Sequence, residues 1–505
     1  MREQTAFGTA TASNYDTDRI WRDDQRHFVH PFTHFDSFKR EGSLVITGAK
    51  GAHITDSRGK RYLDGIGGLW CMSLGFGEEE MAQAVAEQIR RLSFYSAFVD
   101  TTNPPAAELA AKLASLTPGD LNRVFYTCSG SAANDTAVRL IHYYNARRGK
   151  PEKRHLISRL GSYHGSTYLA MSLTGRESDR SPHFHYATEF IHHVSSPYVY
   201  RRPEGMSVAQ FCDQLVDELE QKILAIGPDK VAAFFAEPIM GAGGVIVAPP
   251  GYHQRTWEIC KKHDVLYAPD EVVTAFGRLG RWFASKDVFG IEPDLIVSAK
   301  GISSGYVPLG AVLFSDRIYD VISWPDPDGW FTHGFTYSGH PVACAAGLKT
   351  IEIMEKRDIC GHVRKVGPYL EQRLHALKDL PLVGDVRGSH FMMCTEYVAN
   401  KQTRALLPDG VNIGKRISNH CEARGLIVRP LAHLNIMSPP LVMTVAEVDE
   451  LVTGLAAGIK AAGDDQRAAV LLGPIMGEGG GVTPPAGYLV AARGGTAGHR
   501  ALLVL

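Results

Sequence analysis

The chain has 505 residues, with Lys+Arg 53 against Asp+Glu 54 and a formal net charge of -1. Hydrophobic residues make up 44% and charged residues 21%, a globular composition with no cationic surplus to neutralise a nucleic-acid backbone. No apolar run approaches the ~18 residues of a membrane span, the first twenty residues lack the apolar block of a secretory signal, and the 8 cysteines form no CxxC pair, which predicts a reducing, cytoplasmic setting without structural zinc.

Residues 1–40 are polar and aromatic, with His30-Pro-Phe-Thr-His-Phe35 at their centre. Apolar and polar residues then alternate on both sides of Asp56-Ser-Arg-Gly59, which predicts a hairpin. From Met81 the apolar spacing is helical. Between about 120 and 315, short apolar runs (RVFYT, VAAFFAEP, VLYAPDE, DLIVSAKG) alternate with helical patterns. Runs that are apolar at consecutive positions and joined by helices predict an α/β fold with a mostly parallel sheet covered on both faces. From about 345 to 462 a helix, the strand-like HFMMCTEYV and GLIVRPL, and a closing helix predict a smaller α+β unit. The domains expected are 1–65, a segment joining the small unit; 66–344, the large domain; 345–463, the small domain; and a tail, 464–505. That tail is Gly-rich and repeats 232–269 in part: AAVLLGPIMGEGGGVTPPAGYL from Ala468 matches AAFFAEPIMGAGGVIVAPPGYH from Ala232 without a gap. One partial copy does not make a solenoid, and its composition predicts poor order.

Three stretches carry chemistry. In YTCSGSAANDTAVRL an apolar strand ends in Ser129-Gly130-Ser131 and a helix begins, the geometry of a phosphate cradle built from backbone N–H groups and a helix dipole. In VLYAPDE, Asp270 and Glu271 end an apolar strand, so at least one carboxylate belongs at the sheet edge where α/β proteins bind ligands. In DLIVSAKG, Lys300 follows a buried run, a costly place for a lysine that is neither paired nor covalently used. Each has a plain structural reading by itself: a Ser N-cap, a solvated acidic pair, a snorkelling lysine. Together they are the parts a pyridoxal phosphate enzyme needs, with the lysine as Schiff-base former and the carboxylate as partner of the pyridinium nitrogen.

Over residues 20–462 the sequence resembles the class III aminotransferases of pyridoxal-phosphate fold type I, and among them the amine–pyruvate or ω-transaminases. Nine ordered motifs carry the resemblance, among them HPFT, YLDGIGGLWCMSLGFG, SGSAANDTAVRLI, GSYHGSTYLAMSL, SAKGISSGYVPLGA and HGFTYSGHPVACAAG. It implies pyridoxal phosphate and pyridoxamine phosphate (PMP) as the two cofactor forms. It implies Lys300 and Asp270 as catalytic residues, and Ser129, Gly130, Ser131, Tyr163, His164, Glu237, Val272 and Thr336 as further cofactor contacts. Thr336 is expected to reach the phosphate of a neighbouring subunit, which makes a homodimer the smallest competent unit, with a tetramer as an extension. Phe32, Trp70, Phe98 and Tyr163 are expected to wall the substrate pocket, and Arg429 to bind the carboxylate of the amino acceptor. No metal is expected. Ala132 departs from the family pattern, which has Glu there. The activity implied is transfer of an amino group from a primary amine to pyruvate. The alternatives are a donor with its own acid group, such as taurine or β-alanine, and a non-catalytic pyridoxal-phosphate-binding protein.

Overall fold

The computed structural model describes residues 15–327, 329–464, 469–471 and 502–504. Its centre is a seven-stranded sheet. Ile191–Val194, His155–Arg159, Val231–Ala236 and Leu266–Pro269 run parallel in that spatial order. A parallel bridge between Asp270 and Val297 joins Leu295–Ser298 to them, followed by Gly310–Phe314 and Arg123–Thr127. Gly310–Phe314 alone runs against both neighbours. Val231–Ala236, Leu295–Ser298 and Gly310–Phe314 are buried at every position, because helices cover both faces.

The helix Gly130–Arg147 follows the first of these strands in the chain. Ser129 caps it, its side chain accepting from Ala132 N. The helix buries Ala137, Val138, Ile141 and Tyr144 in a core with Leu295, Val297 and Val312, so its N-terminus is fixed at the carboxyl edge of the sheet.

A second, antiparallel sheet has the order Val383–Ser389, Met392–Tyr397, Leu434–Met437, Arg429–Leu431. The helices Ile359–His375, Ile413–Ala423 and Val445–Asp464 bury Val363, Ile417 and Leu455 in the core beneath it. The hairpin predicted around Asp56–Gly59 joins His53–Asp56 to Arg61–Asp64. Asp56 Oδ1 accepts from Arg58 N and Lys60 N, both at 2.9 Å, and Gly59 supplies the positive φ of the turn. One segment read as a single strand divides: Leu426–Ile427 pairs in parallel with Arg61–Asp64, whereas Arg429–Leu431 belongs to the antiparallel sheet. The chain changes sheets at Val428, and Arg429 is the first residue after the change.

The described cysteines are all free thiols. Among the described residues no helix is long and apolar enough to cross a membrane. The expected lack of order in the tail falls for the most part outside the described residues. Its two described segments, Ala469–Leu471 and Leu502–Val504, pair in parallel.

Candidate active site

A cavity of about 400 Å³ opens at the carboxyl edge of the large sheet, between the two sheets. Phe32, Trp70, Ser129, Gly130, Ser131, Tyr163, His164, Glu237, Asp270, Val272, Lys300 and Arg429 all line it. Phe98 and Thr336 do not. Phe98 is exposed, with its ring edge 3.5 Å from where a Cβ on Gly334 would lie, and Thr336 is exposed two residues further on.

Lys300 opens a short 3-10 turn, Lys300–Ser303, directly beyond the strand Leu295–Ser298. Its φ of 45 lies in the left-handed region, so the strand stops there and the side chain turns towards the cavity. Among the described residues nothing hydrogen-bonds to its Nζ, and burial holds the amine below its ordinary proton affinity. The same turn ties down the loop that carries Trp70. Ser304 Oγ accepts from Ser73 N and Leu74 N, both at 2.9 Å, while Asp64 accepts from Ile66 N at 2.9 Å and Gly68 N at 2.7 Å on the other side of Trp70.

Asp270 is held by three donors. Val272 N reaches Oδ1 at 3.1 Å, and Asn134 Nδ2 and His164 Nδ1 reach Oδ2 at 2.9 Å and 2.8 Å. His164 places its other ring nitrogen 3.1 Å from Ser158 Oγ. Both nitrogens are thereby engaged, so His164 holds Asp270 in place while its ring still borders the cavity. Glu237 is buried and burial raises its proton affinity. Its carboxylate receives Tyr163 N at 3.0 Å and Gly241 N at 2.8 Å, which fixes the turn bearing Tyr163. The other acid of the strand end, Glu271, faces inward to Ala284 N, Ser285 and Thr274.

At the helix N-terminus, Ser129 Oγ takes Ala132 N at 3.1 Å and Ser129 O takes Ala133 N at 3.0 Å. The amides of Gly130 and Ser131 have no acceptor among the described residues and border the cavity. Ser131 Oγ accepts from Ser166 N at 3.0 Å, which leaves its O–H to donate. A Cβ on Gly130 would meet both Val272 methyls at 3.0 Å, so glycine lets Val272 close over the cradle. Phe32 stands edge-on to Tyr163 at 6.1 Å between ring centroids. Arg429 is half-buried with no carboxylate partner among the described residues. Burial, and after it the Arg176 guanidinium, hold its proton affinity below the usual arginine range.

Sequence reasoning did not reach Asn134, Ser304, Asp179 or Arg176. Helical spacing offered one signal: Asn134 lies four residues after Gly130 and so shares its face of the helix.

Pyridoxal phosphate fits these residues. Two free amides and a hydroxyl suit its phosphate, a carboxylate with a lone pair to spare suits its ring nitrogen, and an unpartnered amine of lowered basicity suits its aldehyde. At the carboxyl edge of a doubly covered, mostly parallel sheet, this set defines a pyridoxal-phosphate enzyme of fold type I. Residues 37–459 match the model of the family described as Aminotransferase class-III, and the chain belongs to that family. It is 43% identical over 432 residues to the putrescine–pyruvate aminotransferase of Pseudomonas aeruginosa, covering 85% of this chain and 92% of that one. It is 42% identical to gamma-aminobutyrate transaminase 1, mitochondrial, of Oryza sativa subsp. indica, covering 83% and 81%. The crystal structure of the ω-transaminase from Pseudomonas jessenii in complex with PMP superposes with a TM-score of 0.85 at 36% identity, covering 88% of this chain and 98% of that one.

Proposed function

We propose that this transaminase moves the amino group of a primary amine to pyruvate in two alternating half-reactions. The observation that carries the reading is that Lys300 and Arg429 face one cavity, the first with a free amine and the second with no carboxylate of its own. Pyridoxal phosphate, when bound, supplies the electron sink that acidifies the carbon next to the transferred nitrogen and carries that nitrogen between half-reactions. Lys300 Nζ removes the donor carbon's proton and returns it, a task for which lowered basicity suits it. Asp270 keeps a proton on the ring nitrogen. The Gly130 and Ser131 amides and the Ser131 hydroxyl hold the phosphate, while Tyr163 and Val272 confine the ring. Phe32 and Trp70 exclude water and shape the donor's half of the cavity. Arg429 offers the planar fork that a keto-acid carboxylate requires.

The surface formed by Phe98 and Thr336 supports a homodimer. Both lie outside their own cavity, so we assign them to the partner's site, Thr336 to its phosphate and Phe98 to its wall. The domain division at about 66, 345 and 464 and a cytoplasmic setting belong to the same reading. A donor with its own acid group is the second reading, favoured by the same unpaired Arg429. Stopped-flow absorbance tests the function: adding a neutral primary amine should bleach the cofactor band and pyruvate should restore it. A band that does not respond to amines, or does not recover with pyruvate, removes the proposal.

A further inference from the structure

Arg176 is a second cation on the substrate cavity, and the side chains around it are arranged to present it. Its Nε donates to Asp179 Oδ2 at 2.7 Å, its Nη2 donates to Asp179 Oδ1, and its Nη1 donates to Ala242 O at 2.9 Å. The partner carboxylate lies behind the guanidinium: the Asp179 side chain is 3% exposed and that of Arg176 18%. A guanidinium has five N–H donors. Three are engaged here, which leaves one N–H on Nη1 and one on Nη2 in a residue that borders the cavity with Lys300 and Arg429.

The charge balance of the cavity points the same way. Of the acids that line it, Asp270 is bound by three donors and Glu237 by two backbone amides. Neither is a free counter-ion for Arg429, whereas Arg176 has Asp179 on its far side and keeps two N–H groups to offer. The Arg176 guanidinium disfavours the charged form of Arg429, and an anion bound beside Arg429 relieves that cost. A neutral amine gains nothing from them.

We propose that Arg176 is a specificity-determining anion contact, which together with Arg429 binds the carboxylate or sulfonate of acid-bearing substrates. This rests on the proposed transaminase function and adds a subsite to it. The test compares the first half-reaction of n-butylamine with that of 4-aminobutyrate in the holoenzyme, and the inhibition constant of butyrate, a carboxylate that cannot react. Arg176→Gln should slow the 4-aminobutyrate half-reaction and weaken butyrate about ten- to a hundredfold, the worth of one charge-assisted contact. The butylamine half-reaction should stay within about threefold. Arg176→Lys, which keeps charge and fold but not the planar fork, should fall between. Equal losses for both amines, or unchanged butyrate inhibition in both variants, would overturn the subsite. A wild-type enzyme inert to butylamine and pyruvate would sink the transaminase reading instead.

Discussion

Lysine and carboxylate owe their chemistry here to neighbours far away in the chain. Lys300 is held in a left-handed turn among apolar strands, and burial disfavours its charged form. The free amine is therefore present at a pH where surface lysines are still protonated. In cofactor-stripped protein, acetic anhydride labelling read by mass spectrometry should give Lys300 a midpoint below the ordinary 10.5. Asp270→Asn should lower it further, since the Asp270 charge supports protonation. A midpoint equal to that of surface lysines would contradict the arrangement. Lys300→Ala should abolish transamination while the protein still retains the cofactor through the cradle and Asp270, read by absorbance after gel filtration. Near-normal turnover in that variant would end the mechanism. Both residues were legible in the sequence because a charged side chain directly after an apolar run has few cheap explanations. Asn134 was not. Its spacing from Gly130 gave its face of the helix, but only the fold shows its partner, by bringing Asp270 within 2.9 Å of it.

At the scale of elements, the short apolar runs were enough to read the large sheet and the helix after Ser129. What they could not give was where a run changes partners. GLIVRPL is continuous in hydropathy, yet it serves two sheets, and the break before Arg429 depends on Arg61–Asp64 lying beside it. Turns at the site are equally non-local. Gly165 follows Tyr163 and His164 with a φ of +135, and a Cβ there would stand 2.4 Å from Ser131 Oγ and 2.7 Å from Ser131 Cα. Gly165→Ala should therefore push the helix N-terminus out of place as well as strain the turn, at a cost of about 1–3 kcal/mol. Cofactor dissociation, followed by dialysis and absorbance, should be at least about tenfold easier than in the parent. Gly205→Ala is the control: its φ is +76 but nothing lies within 4 Å, so it should lose some stability and keep its cofactor. Equal cofactor loss in both variants would mean that crowding at Ser131 is not the cause.

Across the whole molecule, a charge network centred on a buried carboxylate ties the second sheet to loops that follow strands of the large one. Glu396 is wholly buried and accepts from Tyr198 Oη, from Arg201 Nε at 2.9 Å and from Arg387 Nη1 at 2.6 Å, while Arg387 Nε donates to Gly244 O at 2.8 Å. The loop that contains Gly244 also anchors Glu237 and Arg176, so the network reaches the cavity wall. Ala469–Leu471 pairs with Leu502–Val504 in the register that Ala233–Phe235 and Leu266–Ala268 use in the large sheet, 236 positions earlier in each case. The parent pair is continued on both sides, by His155–Arg159 and by the bridge to Leu295–Ser298. Among the described residues the copy is three residues long on each strand, and an isolated two-stranded pair is marginal in water. The copied stretch also has Gly473 where the site uses Glu237. Ending the chain after Gly463 should thus leave the melting temperature within about 1 °C, roughly 1 kcal/mol for a protein of this size. The sedimentation coefficient should remain that of the parent assembly, allowing for the lost mass, and kcat with a neutral amine and pyruvate should be unchanged. A fall in any of the three beyond those bounds would make the tail part of the working enzyme.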